Sequence, residues 1–378
     1  MKVLLLYSFD NHCRLLDTLA LNLKKNGIEA DTLNISAMKF RSFSQESGPL
    51  LLRLLAPFTG ISFFRKAARF LFQKMTILSL ARDYGIIDIH FLSPVYHDII
   101  PRLRKMGKKV KVTVWGSDFY RALPEKTERQ RNVYSSVDII QAGTLQMKSD
   151  FLEKFPEYEQ KIRIARFGIK MFDIIEELDV SGNRAAYRQE LGIPAAKLTV
   201  TCGYNGSRVQ RHDVIFKAVS RLSPEARESI FLIIPMTYGT PKGYSEEVAE
   251  EVKKTGVQYR IITSSLDERR LAMLRLSTDI AVNIQVSDAF SASVQEQIFA
   301  GSIVIAGNWL PYSLLKEQGI YFIETGLESL AASIESCVAE YKACQAKCID
   351  NRERIRKLSS WQSAVTDWVN IYGELAHG

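Results

Sequence analysis

The sequence predicts an α/β protein with two Rossmann-like domains, and three observations lead to this prediction. The chain has 378 residues, which exceeds the usual size of one hydrophobic core. Short β-branched runs alternate with longer helical patterns in the first half, and a second series of the same kind starts at residue 198. A polar stretch at residues 176–196, with Gly182, Gly192 and Pro194, separates the two series, and we interpret it as an interdomain connection followed by the first helix of the second domain. Such alternation is typical of parallel sheets covered by helices.

Short apolar runs are predicted to form the strands of two sheets. In the first half they cover residues 3–7, 86–91, 110–115, 137–141 and 162–166. In the second half they cover residues 198–202, 230–235, 259–262, 280–284, 303–306 and 320–323. We therefore predict a first domain over residues 1–178, to which a terminal helix at 360–378 returns, and a second domain over 179–359. Ligands of such sheets bind outside the carboxyl ends of the strands, so we expect the site in a cleft between the domains.

The composition is that of a basic globular protein. The formal net charge is +8 and the pI is about 9.1, which favours an acidic partner such as nucleic acid, anionic lipid or a phosphate-bearing substrate. Five cysteines form no disulfide framework, and this indicates a reducing compartment. The spacing of potential ligands suggests no metal, and the Gly-x-Gly-x-x-Gly fingerprint of NAD enzymes is absent. We therefore expect neither a metal nor a cofactor.

Residues 287–301, SDAFSASVQEQIFAG, carry the most informative pattern. A strand ends near Gln285, a turn holds Asp288, and a helix rich in small residues then begins. The N–H groups of residues 291–293 at that helix start are suited to phosphate or sugar hydroxyls. Glu296, eight residues after Asp288, can accept hydrogen bonds from two vicinal hydroxyls. The alternative is that Asp288 only caps the helix and that Glu296 is a solvated or capping carboxylate.

This segment resembles the E-x7-E segment of the family-4 retaining glycosyltransferases, which have the GT-B fold. Asp288 stands in place of the first Glu, Glu296 matches the second, and residues 300–306, AGSIVIA, are similar to the family's A-x-G-x-P-V-I-A run without its Pro. The resemblance implies that Glu296 holds the nucleotide ribose. It implies retention of anomeric configuration without a metal. It also implies that the donor sugar is held by Asp288, Phe290, Ser291, Ala292 and Ser293.

A second loop, at residues 202–212, reads CGYNGSRVQRH and follows a predicted strand. Glycines allow close approach of the backbone to a ligand, and arginines donate hydrogen bonds to a diphosphate. The loop resembles the family's G-R-x-x-x-x-K-G phosphate loop, although Tyr204 replaces its Arg. The predicted donor-binding residues here are Gly203, Asn205, Gly206, Arg208 and Arg211. The alternative is a polar turn with surface arginines.

Two strand ends of the first domain carry further candidates. Residues 113–118, TVWGSD, resemble the family's T-x-H-G-x-D, with Trp115 in place of the His, and we assign Trp115, Gly116 and Asp118 to the acceptor side. Residues 88–94, DIHFLSP, resemble the end of its D-x-x-H-x-H strand, so we expect His90 to face the cleft as a catalytic candidate beside Asp288 and Glu296. A helix cap for Asp118 and a structural role for His90 are the alternatives.

Two acid-free basic segments, residues 50–80 and 102–111, predict docking on an anionic membrane surface. The first is amphipathic and aromatic, and the alternative is that both belong to core helices with solvated basic edges. No uncharged apolar run reaches the ~18–20 residues of a membrane span. We therefore expect a cytoplasmic protein, peripheral on the inner face of the cell membrane.

Together these features predict a retaining glycosyltransferase. It would move a sugar from a nucleotide-diphosphate-sugar to a saccharide or lipid-linked acceptor, and the family resemblance points to bacterial surface polysaccharide assembly. One alternative is a GT-B nucleotide-sugar epimerase. Another is a non-catalytic basic scaffold that binds a membrane or an anionic polymer. Nucleic acid is not expected as a partner, because the basic residues lie in apolar helices without an exposed stacking platform.

Overall fold

The computed structural model describes residues 1–8, 14–36, 62–115, 117–120, 124–288 and 290–377. Contacts divide the chain into two compact units. Unit 1 comprises residues 1–168 and 361–378, and unit 2 comprises residues 169–360.

Each unit contains one six-stranded sheet in which all paired strands run parallel. The strands of unit 1 are β1 Lys2–Tyr7, β2 Glu29–Asn34, β3 Ile86–His90, β4 Lys109–Thr113, β5 Ile139–Ala142 and β6 Ile162–Ile164. Those of unit 2 are β7 Leu198–Cys202, β8 Ile230–Pro235, β9 Tyr259–Ile262, β10 Ile280–Asn283, β11 Ile303–Gly307 and β12 Ile323–Thr325.

The strand order places a topological switch point in each sheet. Unit 1 has the order β2-β1-β3-β4-β5-β6, and unit 2 has the order β12-β11-β10-β7-β8-β9. The order therefore reverses between β1 and β3 in unit 1 and between β7 and β10 in unit 2. Loops that leave the carboxyl ends of two such strands diverge and open a crevice for ligands.

Helices connect the strands of both sheets. In unit 1 they are α1 Arg14–Lys25, α2 Ser62–Leu80, α3 Pro94–Lys105, α4 Ser117–Tyr120, α5 Pro124–Ser136, α6 Leu145–Lys154 and, from the end of the chain, α18 Trp361–His377. In unit 2 they are α7 Met171–Val180, α8 Arg184–Glu190, α9 His212–Val219, α10 Pro224–Ser229, α11 Tyr244–Lys253, α12 Glu268–Ser277, α13 Ala292–Ala300, α14 Ser313–Glu317, α15 Leu330–Ala339, α16 Tyr341–Lys347 and α17 Asn351–Ser359. Short 3₁₀ turns lie at Ala81–Asp83, Pro156–Lys161 and Arg208–Gln210.

Both faces of each sheet are covered by apolar layers, which explains the continuous apolar runs in the sequence. In strand β8, for example, all six residues are buried. The predicted α/β fold with two Rossmann-like domains is confirmed. Each predicted strand overlaps a strand of the structure, but the polar edge strand β2, with the sequence EADTLN, was missed.

The boundary between the two units lies at residues 168 and 169, earlier than the predicted position at 178 and 179. Helix α7 accounts for the difference, because its apolar face packs into the core of unit 2. Phe172 stacks on Phe299 with ring centroids 4.2 Å apart, and Ile175 and Leu178 are buried in the same cluster. Residues 176–196 therefore hold the end of α7 and helix α8, both within unit 2, so the stretch contains the expected helix but does not connect the two units.

Candidate functional site

The loops after β7 and β10 meet at the switch point of unit 2. The Tyr204 hydroxyl donates a hydrogen bond to Gln285 Oε1 over 3.0 Å, and Gln210 Nε2 donates to the same oxygen over 2.9 Å. The Tyr204 N–H in turn donates to Gln210 Oε1 over 3.2 Å. Neutral amide and phenol groups thus join the two loops at the position where the family resemblance implies an arginine.

Two glycines of this loop are required by the protein's own packing. Gly203 has φ = +67°, and a Cβ there would lie 2.8 Å from Gln210 Oε1. A Cβ at Gly206 would collide with the Thr240 side chain. The predicted close approach of these glycines to a ligand stays a prediction, but packing within unit 2 already explains why larger residues are disfavoured.

The predicted diphosphate-binding arginines lie at the surface of this loop. Arg208 is more than half exposed, forms an ion pair of 2.6 Å with Glu247, and has its guanidinium 4.2 Å from the centre of the Tyr244 ring. Arg211 adopts a left-handed conformation with φ = +57°, and its guanidinium lies 5.2 Å from the centre of the Trp309 ring. Both guanidinium groups belong to flexible side chains that can turn towards an anion.

Asn205 has a local structural role in the same loop. It is buried, and its Oδ1 accepts a hydrogen bond of 2.9 Å from the Ser207 N–H. This contact closes the turn before the 3₁₀ segment. A direct contact of Asn205 with the donor stays a prediction.

Asp288 is held at the start of α13 by two donors. Its Oδ2 accepts a hydrogen bond of 3.1 Å from the Ser291 N–H and another from the Tyr312 hydroxyl. Asn283 Nδ2 donates to the oxygen of that hydroxyl over 2.6 Å. Burial and the neighbouring carboxylate raise the pKa of Tyr312 well above its ordinary range, so this phenol stays a hydrogen-bond donor. Asp288 thus closes the turn before α13, whose N-cap residue is Ser291 and not Asp288, and this arrangement leaves a sugar-binding role open.

The backbone before α13 takes an unusual path. Phe290 has φ = +64°, which is uncommon for a residue with a side chain. Gln295 Nε2 donates to the Phe290 carbonyl over 2.9 Å and stabilises this path. Ala292 and Ser293 then form the first helical turn, where N–H groups lack intrahelical partners. Strain of this kind is often found at ligand sites.

Glu296 forms a buried ion pair that the sequence analysis missed. Its Oε2 accepts a hydrogen bond of 3.0 Å from Arg275 Nε, and Arg275 Nη2 donates to Ser293 Oγ over 3.2 Å. The side chain of Arg275 is 3% exposed, and that of Glu296 is 10% exposed. The interpretation of Glu296 as a solvated carboxylate is therefore wrong. A lone arginine within the apolar run LAMLRLS was the available signal.

Buried polar atoms remain unsatisfied at the same edge of the sheet. Asn283 Oδ1, Gln285 Nε2 and Gln295 Oε1 have no hydrogen-bond partner within the described part of the chain. Such orphaned atoms are rare in folded proteins and commonly meet water or a ligand. A narrow cavity opens here, lined by Gly203, Tyr204, Ala281, Val282, Asn283, Ser293, Val294, Gln297 and Val304.

His90, predicted as a catalytic residue, lies in the core of unit 1. It is fully buried, and its Nε2 is 3.1 Å from Asp88 Oδ2. The rings of Trp115, Phe167 and Trp368 surround the imidazole, with centroids 5.9, 6.1 and 6.0 Å away. Burial lowers the pKa of His90 and keeps the ring neutral. The predicted exposure of His90 to a cleft therefore does not match this structure, because aromatic rings enclose it.

The acceptor-side candidates Trp115 and Asp118 lie after strand β4. Asp118 Oδ1 accepts a hydrogen bond of 2.9 Å from the Trp115 N–H, and Oδ2 accepts one of 3.3 Å from the Leu92 N–H. The carboxylate thus ties together the loops that follow β3 and β4. Trp115 is partly buried against Phe167. Gly116 lies outside the described residues.

The two basic segments are only partly free for a membrane surface. Residues 50–61 lie outside the described residues. Arg69 donates to the Ser36 carbonyl, and Lys74 forms an ion pair of 3.1 Å with Asp98. In the second segment Arg102 and Lys105 are exposed.

Lys111 requires a correction, because the second basic segment was predicted to be a docking surface along its whole length. The Lys111 side chain is fully buried, and its ammonium lies 2.7 Å from Asp88 Oδ2 and 4.5 Å from the centre of the Trp368 ring. Successive side chains of a strand point to opposite faces of the sheet, and the side chain of Lys111 points to the face of β4 that helix α18 covers. Lys111 therefore cannot contact a lipid headgroup.

Two kinds of feature are absent from the described ranges, a metal-ligand cluster and a membrane-spanning helix. No group of three or more His, Cys, Asp or Glu side chains there is placed to hold a metal ion. No helix in this part of the protein combines the length and the apolar character needed to cross a bilayer. The expectation of a cofactor-free and metal-free reaction stays a prediction.

The two parallel six-stranded sheets with their helices define the GT-B fold. A glycosyltransferase from Rickettsia africae ESF-5 matches with a TM-score of 0.75 and 13% identity over 100% of this chain and 99% of its own. HepE of Anabaena, solved in complex with UDP and glucose, matches with a TM-score of 0.66 and 13% identity over 99% of this chain and 100% of its own.

Sucrose-phosphate synthase from Thermosynechococcus elongatus has the same fold, with a TM-score of 0.66 and 13% identity over 99% of both chains. At these identities the likeness concerns the fold. No protein-family model matches the sequence. No curated protein sequence matches it significantly either.

Proposed function

We propose that this protein is a glycosyltransferase that takes its sugar from a nucleoside-diphosphate sugar bound at the carboxyl edge of the sheet of unit 2. The observation that carries the proposal is the convergence, at one switch point, of the start of α13, Glu296 and the loop with Arg208 and Arg211. A ligand with a ribose, a diphosphate and a sugar matches these groups in chemistry. The GT-B fold, shared with HepE solved in complex with UDP and glucose, supports the same ligand class.

In the proposed reaction the donor breaks at its anomeric C–O bond, and negative charge grows on the departing diphosphate. Arg208, Arg211 and the N–H groups that begin α13 stabilise this charge more strongly in the transition state than in the ground state. The Arg208 guanidinium has to exchange part of its contact with Glu247 for the diphosphate. Because that pair is exposed, the exchange costs little free energy.

Asp288 would hold the donor sugar together with the backbone of residues 290–293. The Tyr312 hydroxyl and the Ser291 N–H both donate to Asp288 Oδ2 and thereby fix the orientation of this carboxylate at the start of α13. We further propose that transfer retains the anomeric configuration and proceeds without a metal. The family resemblance of residues 287–301 supports this part of the proposal. His90 has no role in it, because it is enclosed in the core of unit 1.

The proposed acceptor is a saccharide on a lipid carrier, in the assembly of a bacterial surface polysaccharide. The protein would act in the cytoplasm on the inner face of the cell membrane. The exposed cations of α3, Arg102 and Lys105, support contact with an anionic leaflet, together with residues of the 50–80 segment. The membrane part of the proposal is independent of the donor site in unit 2.

A non-catalytic scaffold is the second candidate, and internal pairing of the site favours it. Asp288, Glu296 and Arg208 each have a partner within unit 2. An epimerase receives less support, because His90 and His212 are both fully buried. The scaffold would bind no nucleotide.

Calorimetry of the purified protein with UDP, GDP, ADP and TDP tests the proposal. One nucleoside diphosphate should bind, and at one hundred times its Kd it should raise the free energy of unfolding by about 2.7 kcal/mol. Glu296→Ala and Arg208→Ala should weaken that binding. Lys253→Ala is the matched control for Arg208→Ala, because Lys253 is an exposed cation paired with Glu250.

Each outcome decides between the two candidates. Binding that weakens in both site variants and is unchanged in the control supports the transferase, and release of nucleotide from the matching sugar donor then identifies the sugar. A folded protein that binds none of the four nucleotides contradicts the transferase and favours the scaffold.

A further inference from the structure

A cavity of about 630 Å³ lies in unit 1 between helices α3 and α5, beside the loops that leave the carboxyl ends of β3 and β4. This volume falls within the range of about 300–1,000 Å³ that is usual for small-ligand sites. Among the described lining residues, only Asp118 is a predicted site residue. The cavity is therefore separate from the donor site proposed in unit 2.

The wall formed by the end of β3 has an unusual backbone. Phe91, which lines the cavity, has φ = +68°, a left-handed conformation that a residue with a side chain rarely adopts. Its N–H donates to the Thr113 carbonyl over 3.3 Å and holds the chain at the end of the sheet. A backbone outlier of this kind is often found at a ligand site.

Most polar groups of the cavity are engaged within the protein. Asp98 forms an ion pair of 3.1 Å with Lys74. Both oxygens of the Asp118 carboxylate accept backbone hydrogen bonds, and Gln130 Nε2 donates to the Asp118 carbonyl over 2.7 Å. Gln130 Oε1 has no described partner, but this atom is buried. Few polar groups therefore remain for the many hydroxyls of a free saccharide.

Arg129 supplies a positive charge that the described part of the chain does not neutralise. It is an exposed lining residue of α5 and forms no ion pair with a described residue, whereas Arg131 on the same helix pairs with Glu157. Burial and the nearby Arg129 cation lower the pKa of His97, so that ring is neutral at pH 7. The charge of the cavity therefore favours an anionic group, and a guanidinium binds phosphate well.

The other walls of the cavity are apolar and continue towards the proposed membrane contact. The apolar lining residues are Phe91, Leu92, Pro94, Ile100, Pro101 and Val133. Pro101 directly precedes Arg102, one of the two exposed cations of α3 that are proposed to contact an anionic leaflet. An apolar wall beside an unneutralised cation matches an anionic amphiphile, and the neighbouring Arg102 favours one that comes from a membrane.

We infer that this cavity binds the phosphate end of a lipid carrier, in which Arg129 pairs with the phosphate and the apolar wall holds the first segment of the chain. The inference rests on the proposed function and deepens it, because it assigns the lipid part of the acceptor to a site in unit 1. A free sugar phosphate presents the same anionic group, and the apolar chain distinguishes the two sources.

Calorimetry with farnesyl phosphate, a short lipid phosphate, tests the inference against three partial ligands. Farnesol lacks the phosphate, inorganic phosphate lacks the chain, and glucose 6-phosphate carries its phosphate on a polar sugar. One farnesyl phosphate should bind per chain, at least about 10-fold more tightly than each of the other three, because it alone has both parts. The full chain is used without nucleotide, at ligand concentrations too low for micelles.

Variants of the two walls separate the charge from the chain. Arg129→Gln should weaken binding of farnesyl phosphate by about 10-fold and leave binding of farnesol unchanged, and Arg129→Lys should restore part of the affinity. Pro101→Asp places a carboxylate at the apolar wall and should weaken binding of both ligands. Lys25→Gln is the matched control, because Lys25 is an exposed cation of α1 that forms no ion pair with a described residue.

The outcomes distinguish this inference from the proposed function. Equal affinity for glucose 6-phosphate and farnesyl phosphate would overturn the assignment to a lipid, and an equal loss in Lys25→Gln and Arg129→Gln would overturn the assignment to this cavity. A protein that binds a nucleoside diphosphate but no farnesyl phosphate would refute the inference and leave the donor site standing. Binding of farnesyl phosphate without binding of any nucleoside diphosphate would support the lipid site and contradict the glycosyltransferase.

Discussion

The two sheets differ in the surroundings of some of their polar side chains. In unit 1, Asp88 and Lys111 are fully buried within the sheet, and Asp88 Oδ2 accepts hydrogen bonds from Lys111 Nζ over 2.7 Å and from the Tyr372 hydroxyl over 2.6 Å. In unit 2, Asn283 and Gln285 lie at the carboxyl end of β10, and Asn283 Oδ1 and Gln285 Nε2 have no hydrogen-bond partner among the described residues. Similar architectures thus use polar residues for different purposes.

The difference indicates which of the two similar units carries the candidate binding site. In unit 1, Asp88, Lys111 and Tyr372 form a buried polar network. This network connects helix α18 to the sheet, because Tyr372 belongs to α18 and Asp88 belongs to β3. At the switch point of unit 2, a buried amide donor and two buried amide acceptors have no partner within the described ranges. Substitutions in the network of unit 1 should therefore lower stability, whereas those at the edge of unit 2 should lower ligand affinity.

The largest effect is expected for Asp88→Ala. This change leaves the Lys111 ammonium buried without its carboxylate, which costs about 3–5 kcal/mol of unfolding free energy. Denaturant unfolding followed by tryptophan fluorescence measures it, because three of the four tryptophans, Trp115, Trp361 and Trp368, belong to unit 1.

Asp31→Ala is the control for this change. Asp31 is an exposed acid of unit 1, 3.8 Å from Lys2, and its loss should cost less than about 1 kcal/mol. An equally small loss for Asp88→Ala would show that the network of unit 1 does not hold its fold, and the contrast between the units would fail.

The next effect concerns acid stability and the buried His212 of unit 2. Burial lowers the pKa of His212 from 6.5 to about 4, although Asp213 acts in the opposite direction, and Nδ1 lies 3.1 Å from the Tyr244 hydroxyl. The unfolded chain therefore binds a proton between pH 6.5 and pH 4 that the folded chain does not bind. Stability is lost as the pH falls through this window, by up to about 3 kcal/mol.

Unfolding at pH 7.5 and pH 4.5 measures this loss in the wild type, His212→Gln and His377→Gln. His212→Gln should reduce the loss, while the exposed His377 serves as the control. A loss of the same size in all three proteins would assign the acid sensitivity to other groups, such as His90 in unit 1.

Membrane docking provides a third, smaller effect, on the outer surface of unit 1. Replacing Arg102 and Lys105 together by Gln should weaken binding to vesicles that contain anionic lipid by about 2 kcal/mol, because each cation near such a surface contributes about 1 kcal/mol. Sedimentation with vesicles at low salt measures the loss. Lys253→Gln combined with Lys254→Gln, at the C-terminal end of α11 in unit 2, is the control, and an equal loss there would indicate unspecific attraction.

The smallest effect is expected for Tyr312→Phe in unit 2. The substitution removes the hydroxyl that donates to Asp288, and it should weaken binding of the nucleotide sugar by about 1 kcal/mol while leaving binding of the free nucleotide unchanged. Calorimetry with both ligands measures the difference. Tyr321→Phe, which removes a hydroxyl beside Cys344, should change neither affinity. Equal weakening of both ligands by Tyr312→Phe would contradict a sugar-positioning role of Asp288.

The fold was predictable because each sheet is covered on both faces. Strands such as β7 and β8 then become short apolar runs that stand out from the amphipathic helices. The edge strand β2 escaped detection because it has a neighbour on one side only and keeps polar residues. The position of the candidate site was accessible for the same reason, since the loops that carry it follow recognisable strands.

The pairing of charges was not predictable, because it joins residues that are distant in the sequence. Arg275 reaches Glu296 from another helix, and Arg208 reaches Glu247 across 39 positions. Lys111 looked like a surface residue of a basic segment, yet helix α18 brings Tyr372 to the carboxylate that binds it. Only the tertiary fold determines whether such a cation is exposed or buried.

Hydrogen–deuterium exchange with and without a nucleoside diphosphate tests most directly whether the donor binds at the edge of unit 2. The account predicts slower exchange in residues 203–211 and 285–296 when UDP, GDP or ADP binds, with little change in the strands of unit 1 around Asp88. Protection confined to unit 1, or no protection in these two segments despite measurable binding, would contradict it.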